Sequence, residues 1–407
     1  MINDDRLWNR LHELGKIGKQ GSGGVTRFSF TEEDRKAKGL VAKYMAEAGL
    51  EVQEDHIGNL IGKKTGKIKN APSIIIGSHI DTVKEGGIFD GALGVIAGIE
   101  VLQTMNERKI SLDHPIEVIA FADEEGSRFH FGMIGSRAFT GTLNKSDLQR
   151  TDQRGISIEE AMKLEGLNPD RIDDVRRDPK SIKCYLELHI EQGKVLEEHD
   201  LPVGIVSGIA GPLWTKWVLT GESGHAGATP MSLRKDPLIA FADMIRNIEN
   251  EAKKNPHMVA TIGKVSVKPG GVNIIPGQVE FTLDLRDIDE NARDQAEKSI
   301  QSYANQLCNE HNIDISISTL QRISPVPCSL KIRQLLEESC KDLGIQTMTL
   351  PSGAGHDAMQ FKSICPIGML FVRSHKGISH NPSEYSSKMD CAQGANVLYH
   401  TVLKLAI

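Results

Sequence analysis

The chain has 407 residues, of which 39% are hydrophobic and 25% charged, and it contains 39 glycines. This composition excludes a disordered, fibrous or disulfide-stapled protein and is typical of a loop-rich globular enzyme. The formal net charge of -6 gives no indication of a nucleic-acid partner.

The length predicts two domains, because a single hydrophobic core rarely organises so many residues. The six cysteines show no C-x-x-C spacing, which favours reduced thiols and a cytoplasmic location. The amino end lacks an apolar signal segment, and no run approaches the roughly 18 apolar residues of a membrane span. We therefore expect a protein that is neither secreted nor embedded in a membrane.

The first half of the chain alternates helices with apolar strands. The segment 31–48 opens with a Thr cap and predicts a helix. Segments 73–76 and 116–122 predict buried strands, and the apolar segment 91–108 between them predicts a helix. The strictly alternating segment 183–190 predicts a further strand with one polar face. This order predicts an α/β fold with a mixed, mostly parallel sheet covered by helices.

The element order changes in the middle of the chain. The predicted strand, helix, strand, strand, helix and strand lie at 213–220, 235–253, 259–267, 277–286, 290–311 and 313–320. This βαββαβ order predicts a ferredoxin-like layer with four strands and two helices on one face. We expect a catalytic domain at 1–211 and 328–407, interrupted by a lid or dimerisation domain at 212–327.

Candidate metal ligands follow the predicted strands of the first domain, namely His79, Asp90, the pair Glu124-Glu125 and His189. Ligands of open α/β sheets bind outside the carboxyl ends of the strands. The mixture of imidazole and carboxylate groups favours Zn, Mn, Co or Ni. Because the set exceeds what one tetrahedral catalytic ion uses, we expect two divalent ions.

The acidic residues in this set, and Asp81 beside it, each have two interpretations. Asp90 lies in a glycine-rich turn before a helix, so it either bridges the ions or caps the helix. Asp81, two residues after His79, either fixes the imidazole tautomer or forms a turn. Since neighbouring side chains diverge, one of Glu124 and Glu125 is expected to bind metal while the other transfers protons during hydrolysis. The alternative for this pair is an exposed acidic turn.

Nine short runs are spread along the whole chain: GSHIDTV (77–83), GGIFDGALGV (86–95), ADEEGSRF (122–129), LELHIEQG (186–193), GHAGATPM (224–231), GGVNIIP (270–276), DLR (284–286), SGAGHDA (352–358) and GISHNP (377–382). Together they closely resemble N-carbamoyl-L-amino acid hydrolases. The wider group includes allantoate amidohydrolases and β-ureidopropionases, and it is related to zinc aminoacylases and carboxypeptidases. The resemblance implies a zinc-exopeptidase-like catalytic domain that hydrolyses N-carbamoyl-L-amino acids to the L-amino acid, ammonia and carbon dioxide.

The resemblance also implies roles for individual residues of the catalytic domain. The implied metal ligands are His79, Asp90, Glu125, His189 and His380. Asp90 then bridges the ions, and Glu124 becomes the catalytic base. Asp81 is counted with the catalytic residues through its expected hold on His79. His380 follows no predicted strand, so an argument from spacing alone would miss it.

Substrate contacts are expected from both domains. Arg286 ends a predicted strand, and its forked donors suit a substrate carboxylate, although an Arg at such a position is more often a solvated charge. The resemblance implies that Asn273 assists Arg286, that His225 polarises the scissile carbonyl, and that Gln192 and the loop Gly353 to Gly355 contact the substrate. It further implies a homodimer in which the lid domains pair and His225 with Asn273 reaches the partner's site, and an exposed sheet edge suits such pairing.

The natural ureido substrate stays open at this stage. Allantoate amidohydrolase or β-ureidopropionase is the alternative within the group, whereas GHAGATPM and SGAGHDA disfavour a dipeptidase or aminoacylase. A metal-binding scaffold without catalysis is the alternative from a different class. A chelator distinguishes the two classes, because an enzyme loses turnover while a scaffold mainly loses stability.

Overall fold

A computed structural model describes every residue from Met1 to Ile407. The chain forms two compact units, one made of Met1–Ser207 with Pro327–Ile407 and the other of Gly208–Val326. None of the helices combines the length and the apolar character that crossing a membrane requires.

The strands in chain order are β1 (Glu51–Glu54), β2 (Leu60–Lys64), β3 (Ser73–His79), β4 (Ile116–Phe121), β5 (Ile182–Ile190), β6 (Val203–Ile209), β7 (Gly211–Thr220), β8 (Gly224–His225), β9 (Val259–Lys268), β10 (Ile274–Ile275), β11 (Gln278–Asp287), β12 (Asp314–Arg322), β13 (Val326–Pro327), β14 (Thr347–Ser352) and β15 (Ile367–Val372). The α-helices are α1 (Asp4–Leu14), α2 (Glu32–Glu47), α3 (Ala92–Glu107), α4 (Ile134–Thr140), α5 (Ile158–Leu164), α6 (Val195–Glu198), α7 (Pro237–Ala252), α8 (Glu290–Glu310), α9 (Leu330–Asp342) and α10 (Lys388–Ala406).

The first unit is built on a nine-stranded sheet with the order β1-β2-β4-β3-β5-β15-β6-β13, and β14 pairs with β6. The central strands β4, β3, β5 and β15 run parallel, whereas β2 and β6 pair antiparallel with their inner neighbours. Strands β3 and β4 are buried at every position. Such continuous apolar runs belong to parallel strands that are covered on both faces. The predicted α/β class with a mostly parallel sheet is therefore confirmed.

Helix α3 is the central helix of this unit, and it contacts β3, β5, α1 and α10. It is buried at almost every position, which explains why its sequence is apolar on most faces. Gly94 lets the helix approach the sheet, since a Cβ there would stand 2.3 Å from the Leu188 carbonyl oxygen. Each fully buried Leu, Ile or Val of this helix contributes about 1.5–3 kcal/mol of hydrophobic stabilisation.

Strand β5 has the predicted polar face, but this face is buried rather than solvated. Glu187 and His189 are both about 1% exposed. The Glu187 carboxylate accepts hydrogen bonds from the Ser78 hydroxyl, the Tyr185 hydroxyl and the Ala358 backbone N–H. Buried polar groups require such partners, because an unpaired one costs about 1–3 kcal/mol.

The Gly208–Val326 unit contains an antiparallel sheet with the order β12-β7-β11-β9. Helices α7 and α8 share one hydrophobic core with β7 and β11, in which Trp217 and Phe281 stack with ring centroids 5.6 Å apart. The predicted βαββαβ order is present, together with the short pair β8-β10. A lid or dimerisation role for this unit stays a prediction.

Candidate metal centre

The candidate ligands of the first unit come from the ends of adjacent parallel strands. His79 is the last residue of β3, Glu124 and Glu125 closely follow β4, and His189 is the penultimate residue of β5. Because β4, β3 and β5 are neighbours and parallel, their carboxyl ends meet at one edge of the sheet. The tertiary structure thus brings together residues that are more than 100 positions apart.

Asp90 lies at the middle of this cluster. Its Oδ1 is 3.1 Å from His189 Nε2 and 3.9 Å from His79 Nε2, and its Oδ2 is 3.2 Å from His380 Nε2. His380 Nε2 is also 3.5 Å from Glu125 Oε1. The predicted ligands therefore form two groups of three residues, His79–Asp90–His189 and Asp90–Glu125–His380. The ligand atoms in each group lie within 4.8 Å of one another. Asp90 belongs to both groups.

Backbone carbonyls orient the two buried imidazoles. His79 Nδ1 is 3.0 Å from the carbonyl oxygen of Asp81, and His189 Nδ1 is 2.9 Å from that of Ile190. The Asp81 carboxylate, 3.6 Å from His79 Nδ1, instead accepts the backbone N–H groups of Glu124 and Glu125. Asp81 therefore orients His79 mainly through its backbone and fixes the glutamate pair through its side chain.

Glu124 and Glu125 point in different directions, as neighbouring residues in a turn must. Glu124 Oε2 lies 3.6 Å from His79 Nε2, whereas Glu125 Oε1 faces His380. Their side chains are only 9% and 7% exposed. The alternative of an exposed acidic turn is therefore wrong.

Burial and neighbouring charges shift the protonation of the cluster. Burial, together with the charge of Asp357, raises the pKa of Glu124 well above its usual range, and burial beside Asp90 does the same to the pKa of Glu125. Burial lowers the pKa of His79 to about 4. Burial also disfavours the protonated form of His189, but the hydrogen bond to Asp90 outweighs it and raises the pKa of His189 to about 9.

The donor set fits a divalent metal. Glu125 Oε1 is buried without a hydrogen-bond partner, and an uncompensated buried carboxylate is costly unless a cation balances it. The His79 ring is packed so closely that a Cβ on Gly91 would stand 2.4 Å from it. Imidazole and carboxylate donors arranged in this way are those that Zn²⁺ and similar ions use.

Two residues that hold Asp90 were not assigned this role from the sequence. Glu384 Oε1 accepts the backbone N–H groups of Phe89 and Asp90 at 2.9 and 3.0 Å, four residues after His380 in the same loop region. Gln192 Nε2 donates to Asp90 Oδ2 at 3.0 Å. A substrate contact by Gln192 stays a prediction.

Three non-glycine residues of the centre have left-handed backbone conformations. Asp123, Gln192 and His380 have φ values of 53°, 58° and 54°. Such conformations cost about 1–3 kcal/mol each and persist where the surroundings hold them. Asp123 precedes the glutamate pair, and Gln192 and His380 both contact Asp90. Such a concentration of strained residues is typical of a functional site.

The glycine loop after β14 lies beside the metal centre. His356, which follows Gly355, is 2% exposed, and its ring centroid is 4.5 Å from that of His189. Its Nε2 is 2.8 Å from the Ser352 hydroxyl. The loop from Gly353 to Gly355 is therefore tied at both ends next to a candidate ligand, while its contact with substrate stays a prediction.

The remaining predicted substrate residues lie in the Gly208–Val326 unit. Strands β8 and β10 bring His225 and Asn273 together, because Ile274 pairs with His225 and the Ala226 N–H donates to the Asn273 carbonyl at 3.0 Å. His225 Nδ1 accepts the N–H groups of Gly227 and Ala228. Arg286 lies on β11, where its guanidinium contacts both carboxylate oxygens of Asp284 at 2.7–3.2 Å.

Comparisons with known proteins agree with this architecture. The model of peptidase family M20/M25/M40 matches residues 75–404. An N-carbamoyl-L-amino acid amidohydrolase from Geobacillus stearothermophilus is 56% identical over 406 residues, covering 100% of this chain and 99% of its own length. Allantoate deiminase 1 from Glycine max is 36% identical, covering 94% of this chain and 85% of its own.

The chain is also similar to a solved structure of the hydantoinase/carbamoylase family. The crystal structure of an amidase of the hydantoinase/carbamoylase family from Burkholderia multivorans has a TM-score of 0.94 at 33% identity, covering 100% of this chain and 98% of its own. The family match extends over most of the chain and includes all the candidate ligands of the metal centre. This chain therefore belongs to peptidase family M20/M25/M40.

Proposed function

We propose that the protein hydrolyses N-carbamoyl-L-amino acids to the L-amino acid, ammonia and carbon dioxide. The observation that carries this proposal is the pair of ligand groups sharing Asp90, with the buried Glu124 carboxylate at their side. The ureido substrate class comes from the amidohydrolase of Geobacillus stearothermophilus, to which the chain is similar over its full length.

We propose two divalent ions per subunit, chosen among Zn, Mn, Co and Ni. His79, Asp90 and His189 would hold one ion, and Asp90, Glu125 and His380 the other. When bound, such ions supply Lewis-acid chemistry that lowers the pKa of a water and stabilises negative charge on a carbonyl oxygen.

The proton transfers fall to Glu124. Its carboxylate lies beside the ligand groups without belonging to either, so it would take a proton from the attacking water and deliver it to the ureido nitrogen that leaves. Asp81 supports this step by holding the backbone of the glutamate pair through two hydrogen bonds of 3.2 Å. General acid and base work by one residue requires such a fixed position.

Substrate binding would use the residues predicted for it from the sequence. Arg286 offers forked donors to the amino-acid carboxylate with help from Asn273, and Asp284 already holds the guanidinium in place. His225 would stabilise the carbonyl oxygen, and its Nδ1 is occupied by backbone N–H groups, which leaves Nε2 to face a ligand. Gln192, Gly353 and Gly355 would complete the contacts.

We propose that the Gly208–Val326 unit acts as a lid and pairs with a second copy in a homodimer. Strands β9 and β12 are the two edges of its sheet, and unpaired edges are readily used for association. Apolar side chains on these edges support this proposal, since Val259, Val265 and Leu320 are 54%, 46% and 57% exposed. Light scattering of the purified protein tests it, because a monomer would contradict the dimer. The six free cysteines support a cytoplasmic location.

A substrate panel on the metal-reconstituted protein tests the proposed activity. N-carbamoyl-L-methionine should be hydrolysed with a kcat/KM that exceeds those for its D-enantiomer, allantoate and β-ureidopropionate by orders of magnitude. A chelator should abolish turnover, and Mn²⁺, Co²⁺ or Ni²⁺ should restore it. If the protein prefers allantoate, the proposed substrate is wrong but the proposed metal-dependent hydrolysis is unaffected. Loss of stability without any turnover would instead indicate a scaffold.

A further inference from the structure

The Ser379 hydroxyl lies between two buried carboxylates. Its Oγ is 3.0 Å from Asp90 Oδ2 and 2.9 Å from Glu384 Oε2. A serine hydroxyl carries one hydrogen, so it donates to only one of these acceptors at a time. Whether Ser379 donates to Asp90 or to Glu384 therefore decides how many lone pairs of Asp90 Oδ2 remain free.

Besides His380, whose Nε2 lies 3.2 Å away and would bind the same ion, Asp90 Oδ2 already has one donor. Gln192 Nε2 lies 3.0 Å from it, and a carboxylate oxygen offers two lone pairs. If Ser379 also donated to Oδ2, both lone pairs would be occupied and none would remain for an ion. If Ser379 donates to Glu384 instead, one lone pair stays available.

We propose that Glu384 is a positioning residue that draws the Ser379 hydrogen away from Asp90 and so keeps Oδ2 free to bind metal. The ion concerned is the one that Asp90 would share with Glu125 and His380, so this inference rests on the two-ion site of the proposed function.

Glu384 is held firmly enough for this task. It is 6% exposed, and its Oε1 is anchored by the backbone N–H groups of Phe89 and Asp90. Gly87 leaves the space that the carboxylate fills, because a Cβ there would stand 2.1 Å from Glu384 Oε1. The same side chain thus fixes the turn that carries Asp90 and receives the hydroxyl of the loop that carries His380.

The substitution Glu384→Gln reverses the hydrogen bond to Ser379. A glutamine has nearly the same shape, and its carbonyl oxygen can still accept the two backbone N–H groups. Its amide nitrogen, however, donates to Ser379 Oγ, which leaves the hydroxyl hydrogen to Asp90. We expect the affinity for the second ion to fall by about 10- to 100-fold, as is usual when a residue that supports a metal ligand is changed.

Removing the Ser379 hydroxyl should restore the affinity for the second ion. The double variant Glu384→Gln/Ser379→Ala frees Asp90 Oδ2 again, so it should bind the second ion more tightly than Glu384→Gln alone. A loss that arises only from structural damage would instead grow with the second substitution.

Glu191→Gln is the matched control. Glu191 is 8% exposed and, like Glu384, accepts two backbone N–H groups, from Val195 and Leu196 at 2.7 and 3.0 Å. Each carboxylate oxygen of Glu191 accepts one of these N–H groups. In Glu191→Gln the amide nitrogen must therefore face one of the two N–H donors. This variant should lower the unfolding temperature more than Glu384→Gln does, while leaving both metal affinities unchanged.

Competition between the full-length metal-free protein and a chromophoric chelator for Zn²⁺ measures both affinities, and thermal unfolding of the same samples measures stability. Weaker binding of one ion by Glu384→Gln, with recovery in the double variant, would support the proposal. Unchanged affinities in Glu384→Gln, or no recovery in the double variant, would overturn it. A wild-type protein that binds fewer than two ions would overturn both this inference and the two-ion site.

Discussion

Strands β5 and β11 have the same alternation of apolar and polar residues but opposite surroundings. In β5, Glu187 and His189 are buried among hydrogen-bond partners at the metal centre. In β11, the polar positions from Glu280 to Arg286 are partly exposed, while the intervening positions are buried against α7 and α8. Alternation therefore shows which residues share a face, whereas the layers around the sheet decide whether that face is solvated.

The energetic difference between these faces indicates where function lies. A polar side chain on β11 keeps its contact with water, so it needs no partner. Polar side chains on β5 lose that contact and persist only because partners compensate for it. A buried polar face in the middle of a sheet thus indicates a site, and substitutions on the two strands should have different consequences.

The largest effect is expected for Glu124→Gln at the buried centre. Turnover should fall by about 10²- to 10⁴-fold, because an amide cannot accept the proton that general base catalysis transfers. Binding of Zn²⁺ should stay close to that of the wild type. The neighbouring variant Glu125→Gln should instead weaken metal binding, and steady-state kinetics with metal titration separates the two. Near-normal turnover of Glu124→Gln would contradict the assignment of the base.

Phe281→Ala tests the buried face of β11. Its ring stacks on Trp217 and contacts Phe241 at a centroid distance of 4.7 Å, so removing it should lower the free energy of unfolding by about 3–5 kcal/mol. Thr282→Ala, on the partly exposed face of the same strand, should change it by less than about 0.5 kcal/mol. Urea denaturation measures both variants. Equal losses would show that the two faces of β11 do not differ in burial.

Arg286→Ala tests whether the partly exposed face of β11 has a function. Loss of charge-assisted hydrogen bonds to a substrate carboxylate should lower kcat/KM by about 10- to 100-fold. Arg322→Ala is the control, since this arginine of β12 forms ion pairs with Asp294 and Glu297 and is not assigned to substrate. Kinetics with N-carbamoyl-L-methionine should be unaffected in the control. The same loss in both variants would point to a general effect of charge.

The smallest effect is expected for Gly344→Ala, for which Gly91→Ala is the comparison. Gly91 and Gly344 have φ values of 64° and 66°, but a Cβ would meet the His79 ring at 2.4 Å in the first case and nothing within 4 Å in the second. Gly344→Ala should lower stability by about 1–2 kcal/mol through backbone strain alone. Gly91→Ala should add a loss of Zn²⁺ affinity to this strain. Thermal unfolding and metal titration of both variants would reveal whether the His79 packing matters.

The sequence predicted the central strands β3, β4 and β5 and the six elements of the βαββαβ unit, because local patterns decide them. Strand β4 begins where it was predicted and ends one residue earlier, and α3 differs by one residue at each end. The short strands β1 and β6 were missed, since the first is exposed throughout and the second contains glycines that interrupt its apolar run. His79, Asp90 and His189 could be proposed as ligands because they lie at or beyond strand ends, while His380 was found only through resemblance.

Sequence alone determined which residues could be ligands and which segments could form a parallel sheet, since both depend on residue type and spacing. Tertiary structure alone decided that the polar face of β5 is buried, that Asp81 acts on His79 through its backbone, and that Gln192, Ser379 and Glu384 converge on Asp90. The physical reason is that hydrogen bonds and burial are properties of positions in space. Gln192 lies 102 residues from Asp90 in the chain, and Ser379 and Glu384 lie nearly 300 residues from it. No local pattern records such a distance.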